Sequence, residues 1–139
     1  MDISTVLGSG VVAGLVAGLV ALRNSERKIH IENITQERAK WRDKIRHISS
    51  QVQVAGLARD EGKLTQLRAE LRLHLNPFDT EDSKILDSVA AIVSSADLNK
   101  ALDEYGSRIS YLLKHDWERA KFEARAVALE RKPQRKQHP

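Results

Sequence analysis

The sequence predicts an all-α protein: one N-terminal transmembrane helix followed by a helical hairpin or three-helix domain. Three observations carry that expectation. Residues 3–22 form an apolar run without a single charge. From Ile34 onward, apolar residues recur at spacings of three and four, the period of a helical seam. No stretch shows the strict alternation of a half-buried strand.

The run over residues 3–22 comes first. As a helix rising 1.5 Å per residue it spans about 30 Å, the thickness of a bilayer's hydrocarbon core. Ser4, Thr5 and Ser9 interrupt it only with hydroxyls, which bond back onto their own helix. A cleaved signal peptide is the rival reading. It would want a positive start, where Asp2 stands, and a small-x-small cleavage site, which Leu19 and Leu22 fit poorly. Arg23, Arg27 and Lys28 follow the run directly, so the positive-inside rule places the C-terminal part in the cytoplasm, with a very short N-terminus outside.

Within the run, Gly10, Gly14 and Gly18 repeat every four residues and share one helix face, while Ala13, Ala17 and Ala21 share the neighbouring face. Helices in lipid associate through close backbone contact across such small residues, so these six positions are the expected homo-oligomer contact. The plainer alternative is that glycine and alanine are simply frequent in membrane helices.

Beyond the anchor, Ile34, Trp41, Ile45, Ile48, Val52 and Ala55 mark a coiled-coil-like seam. Leu57, Leu64, Leu67 and Leu71 continue it past Gly56 and Gly62, which suggests one long helix or two nearly collinear ones. Asn76-Pro77 ends that helix, because proline disfavours helical geometry in the residue before it. Asp79 or Thr80 caps the next helix, with Glu81 and Asp82 placed for its dipole. Residues 94–97 form a turn, Asp97 caps a last helix running to about Arg131, and residues 132–139 make a disordered basic tail. The expected division is therefore an anchor over 1–22, a helical cytoplasmic domain over 23–131 and a tail.

Composition narrows the function classes. There is no cysteine, which excludes disulfides and thiol chemistry. Only six residues are aromatic, none before Trp41, so helices packed along narrow seams are expected rather than a thick core. The net charge of +4 is distributed in blocks. Residues 23–76 hold twelve basic and seven acidic side chains, 77–104 two and seven, and 105–139 nine and four. Alternating blocks suggest complementarity within a folded-back chain, where a nucleic-acid binder shows one sustained basic face.

Arg38, Arg42 and Arg46 form a basic ridge at helical spacing, and like charges there call for an acidic partner. The segment 79–104, folded back, is the expected one, and lipid headgroups suit Arg23, Arg27 and Lys28 better. A solvated charged face is the alternative. Trp41 and Trp117 are expected as apolar knobs on their seams, with stacking on nucleic-acid bases as the alternative. The five histidines show no ligand spacing, and no phosphate loop or nucleophile elbow occurs. No metal, cofactor or catalytic residue is expected.

Three stretches carry a resemblance. Ile34-Thr35-x-x-Arg38-x-x-Trp41-Arg42-x-x-Ile45-Arg46, then Leu71-Arg72-Leu73-His74-Leu75-Asn76-Pro77, then Leu112-Leu113-Lys114-His115-Asp116-Trp117-Glu118-x-x-Lys121 resemble a broad group of small bacterial and phage single-pass membrane proteins. That group carries an N-terminal anchor and a charged helical cytoplasmic domain, usually with glutamate where this chain has Asp116, and its genes occur among mobile elements and antiviral loci. The resemblance implies the architecture and the bacterial orientation, and no catalytic residue.

The expected role is a membrane-anchored, oligomerising helical interaction protein without catalytic activity. Its anchor associates through the small-residue faces, and Arg38, Arg42, Arg46, Trp41 and Trp117 present a surface to a cytoplasmic protein partner. The alternative is a ring-forming, membrane-permeabilising effector of abortive-infection or holin type, gated by the cytoplasmic domain. A spanin-like periplasmic coil would need the opposite orientation. Nucleic-acid binding would rest on the basic tail alone and is not expected.

Overall fold

The computed structural model describes the backbone of residues 3–124 and 134–138; the side chains of residues 3–12, His30 and Ala124 lie outside the description. The described chain is all-helical: α1 (Ile3–Leu57), α2 (Glu61–Arg72), α3 (Thr80–Ser94) and α4 (Leu98–Ala124). It divides into two units, Met1–Arg38 and Ala39–Pro139.

In the first unit, α1 carries the uncharged run first and a charged stretch from Arg23 to Arg38 after it. Every described residue from Ala13 to Ile29 is exposed, among them Leu15, Val16, Leu19, Val20 and Leu22. Among the described residues, no helix is long and apolar enough to cross a membrane. Half of the expected span, residues 3–12, lies outside the described side chains.

The second unit is a four-helix arrangement with one core. Ile45, Ile48, Val52 and Ala55 from α1 meet Leu64, Leu67 and Leu71 from α2, Ile85, Val89 and Ile92 from α3, and Leu102, Tyr105, Ile109 and Leu112 from α4. Three polar links fix the pairing of α1 with α4: Arg42 to Asp116, the Tyr105 hydroxyl to Ser49 Oγ (3.1 Å) and Gln53 Nε2 to the Leu102 carbonyl (3.3 Å). The partners step in opposite directions, so the two helices are antiparallel. Gly56 permits their close approach, since a Cβ there would lie 2.7 Å from Leu102 Cδ2 and 3.1 Å from Ile92 Cγ2.

One expected feature is overturned at residues 57–61. The chain reverses there: Lys44 pairs with Glu70 at 2.7 Å, and Trp41 Nε1 donates to the His74 carbonyl at 2.9 Å. So α2 runs back along α1 and does not extend it. The reversal is a Schellman turn, with Asp60 N donating to the Ala55 carbonyl and Arg59 N to the Gly56 carbonyl. Arg59 takes the left-handed conformation, φ 52°, where glycine is usual. Asp60 then caps α2 by accepting from Lys63 N at 2.9 Å. Gly56 and Gly62, which suggested the break, lie inside the flanking helices.

The starts of α3 and α4 fall where the sequence placed them, whereas α2 already ends at Arg72, with Leu73 as its C-cap, before Asn76-Pro77 is reached. Asp79 caps α3 by accepting from Glu81 N, and Asp97 accepts from Lys100 N at the start of α4. Residues 125–131 of the expected last helix lie outside the described residues.

Candidate interaction surface

The basic ridge of α1 is divided among different partners. Arg42 Nη1 pairs with Asp116 Oδ2 at 2.8 Å, both side chains largely buried. Arg46 turns to Asp43 one turn back on its own helix, at 2.9 Å. Arg38 ends the first unit, whereas the other expected contact residues belong to the second. The expectation that segment 79–104 neutralises Arg42 and Arg46 is therefore corrected. The reason is helix order: α4 brings Asp116 alongside Arg42, and α3 packs against α2 and α4.

The two tryptophans differ. Trp41 is half-buried, packs against the core and spends its N–H on the His74 carbonyl, so it is a structural anchor. Trp117 is half-exposed, with the Arg42 guanidinium 5.7 Å and the Lys121 ammonium 5.1 Å from its ring centroid. Ala39, Arg42, Asp43, Arg46, Leu113 and Trp117 line a shallow groove there, with Asp43 paired to Arg46. An indole flanked by cations is a contact geometry suited to an acidic, partly apolar partner.

The expected self-association face is open. Gly14 and Gly18 have nothing within 4 Å of where a Cβ would stand, and Ala13, Ala17 and Ala21 are exposed. Gly10 lies outside the residues whose surroundings are described.

A polar cluster that the sequence did not single out gathers at the N-terminal end of α3. Glu81 and Asp82 are buried there. Glu81 accepts from Lys84 Nζ at 2.7 Å and lies 3.9 Å from Arg108 Nη1, while Arg108 Nη2 reaches Glu104 at 2.8 Å. Asp82 accepts the Asn76 backbone N–H at 2.7 Å. Arg135 Nη1 lies between Asp79 Oδ2 (2.8 Å) and Asp82 Oδ1 (2.5 Å). The tail expected to be disordered thus places residues 134–138 on α3 and α4. The charge blocks foreshadowed this pairing, because Arg108 and Arg135 come from the third block and their carboxylates from the second. Which arginine would land there was not legible, since 53 residues separate Arg135 from Asp82.

These contacts set the carboxyl acidities. The Lys84 ammonium holds the Glu81 carboxyl below its usual range against the upward pull of burial, helped by the His138 N–H. Arg108 does the same for Glu104, and Lys44 for Glu70. For Asp79, burial pulls upward, but the bonds from Arg135 and the Glu81 N–H outweigh it and the net shift is downward. Burial pushes the Tyr105 hydroxyl up to about 12, against a smaller opposing effect of its bond to Ser49.

Sequence reasoning also passed over Leu73 and Phe78, two strongly exposed apolar side chains in the α2–α3 loop, because neither lies on a helical seam. Among the described residues, no group of three or more histidine and carboxylate side chains is placed to hold a metal ion. No family model matches the chain, and neither does any curated protein or solved structure.

Proposed function

We propose that the protein is a membrane-anchored, self-associating helical interaction module. In this reading residues 3–22 embed in a bacterial inner membrane, the Gly14 and Gly18 face mediates homo-oligomer contact, and the second unit works in the cytoplasm. The observation that carries it is the exposed apolar run of α1. Leu15, Leu19 and Leu22 are each more than 60% exposed, whereas the second unit buries its isoleucines and most of its described leucines, Leu57 and Leu73 excepted. Contiguous exposed apolar surface marks a membrane or a partner as the missing environment. The absence of charge over residues 3–22 and the Arg23, Arg27, Lys28 cluster favour lipid, with the C-terminal part on the cytoplasmic side.

The surface offered to a cytoplasmic partner is the Trp117 groove, with Arg42, Arg46 and Lys121 around it. Its chemistry fits an acidic segment that also supplies an apolar residue for the indole. No reaction is assigned to the chain.

Vesicle flotation tests the anchor. The full chain should float with liposomes and stay bound through an alkaline wash, while Leu15→Asp/Leu19→Asp should remain in the dense fraction. A full chain that stays in the dense fraction without unfolding would refute the reading.

A further inference from the structure

The polar cluster at the end of α3 already holds a peptide, the chain's own C-terminal segment. Asp79 and Asp82 converge on one nitrogen of the Arg135 guanidinium, Nη1, and their two carboxylates make this end of the cradle a site for a basic side chain. Three residues further on, His138 fills a second position. Its ring stands edge-on to Tyr111 at 5.5 Å, its Nε2 lies 2.9 Å from Ser107 Oγ, and its backbone N–H points to Glu81 Oε2 at 3.4 Å. Between these anchors Lys136 and Gln137 are exposed. The recognition pattern is Arg-x-x-His, read by two elements, α3 for the arginine and α4 for the histidine.

We propose that this α3–α4 cradle is a binding site for an arginine-bearing basic peptide, and that residues 134–138 occupy it as a detachable latch which such a segment of a protein partner displaces. Detachment follows from how little holds the segment. None of its side chains enters the apolar core, which closes without it. Ordering its backbone has a conformational cost that only two side-chain anchors oppose. The fit is also incomplete, because Arg135 Nε and Arg108 Nη1 are buried without hydrogen-bond partners. A segment that occupies the cradle without leaving a buried donor of its own unsatisfied, and that offers an acceptor to Arg108 Nη1, competes effectively. The anchoring bonds are largely ionic, so salt weakens the latch.

The chain has no cysteine, so spin labels can be placed at will. Asn99→Cys and Gln137→Cys, both exposed positions, report the distance between α4 and the tail in the full chain in detergent, with labelled copies diluted in unlabelled ones. The expected result is a narrow distance distribution. Arg135→Glu should at least halve that narrow component, as should a large excess of a synthetic peptide of residues 131–139. Lys136→Glu, the same charge change at an exposed position, should leave it intact. A distribution already broad in the unsubstituted chain would overturn the docked segment. A narrow distribution that the peptide does not disturb would overturn the latch and make the tail a permanent part of the fold. Loss of the narrow component on dilution with unlabelled chain would also overturn it, assigning the cradle to a neighbouring copy's tail.

Discussion

The two units use the same kinds of side chain in opposite ways. In Ala39–Pro139, isoleucines, leucines and valines sit on one stripe of each helix and vanish into a shared core, with Ile45, Ile48 and Leu67 fully buried. In Met1–Arg38, Leu15, Val16, Leu19, Val20 and Leu22 of α1 are exposed, and the rest of its circumference over residues 13–22 carries exposed glycine and alanine. A helix apolar on one stripe finds its partner within its own chain; a helix apolar all round has to find it elsewhere. On the proposed function the first unit takes its stability from an environment, whereas the second encloses a core of its own.

The comparison breaks most visibly in the core. Ile48→Ala should destabilise the second unit by about 2–5 kcal/mol, through lost burial and an imperfectly collapsed cavity. Leu19→Ala should change it by no more than about 0.5 kcal/mol. Denaturant unfolding followed by tryptophan fluorescence reads both, since Trp41 and Trp117 lie in the second unit. Equal losses would mean that the first unit is folded onto the second, against the comparison.

Smaller effects sharpen the picture of the second unit. Asp116→Ala leaves the mostly buried Arg42 guanidinium without its carboxylate and should cost about 1–3 kcal/mol. The double change Asp116→Ala/Arg42→Ala should cost less than the sum of the single ones. Arg59→Gly relieves a left-handed conformation and should stabilise by about 1 kcal/mol, visible as a higher midpoint with unchanged slope. Tyr105→Phe should cost about 1 kcal/mol by removing the bond to Ser49.

Two pH limbs follow. Tyr105 has a folded pKa of about 12 against an ordinary 10.0, so its contribution is complete below 10 and is lost as pH rises toward 12. Tyr105→Phe should flatten that alkaline limb. Asp79, Glu81 and Glu104 have lowered folded pKa values. Their contribution is complete above the ordinary 3.8 and 4.5 and is lost as pH falls below them toward the folded values. Acid unfolding of Arg135→Ala should be less steep, because that variant lacks one source of the Asp79 shift.

The helical class, the seam residues and the caps at Asp79 and Asp97 were legible because each is a local signal. Period and capping chemistry lie within a few residues of one another. The reversal after Leu57 was missed because glycine drew attention to Gly56 and Gly62, while the turn is made by Arg59 in a conformation that arginine rarely adopts. Asp60 followed by Glu61 was the available signal, an N-cap with an acidic first turn. Of the candidate surface, the sequence supplied Arg42, Arg46 and Trp117 but not their partners. Pairings such as Arg42 with Asp116 and Arg135 with Asp82 depend on which helices become neighbours, and charge blocks constrain that only by sign.

The central claim is that α1 begins with a segment that embeds in lipid and associates with copies of itself. Its most direct test is the mass of the full-length assembly in a membrane mimetic, measured with Gly14→Ile beside it. The account predicts an oligomer of the unsubstituted chain that falls to monomer in the variant, because a branched side chain at Gly14 holds the helix backbones apart. Equal masses for the two chains would contradict it.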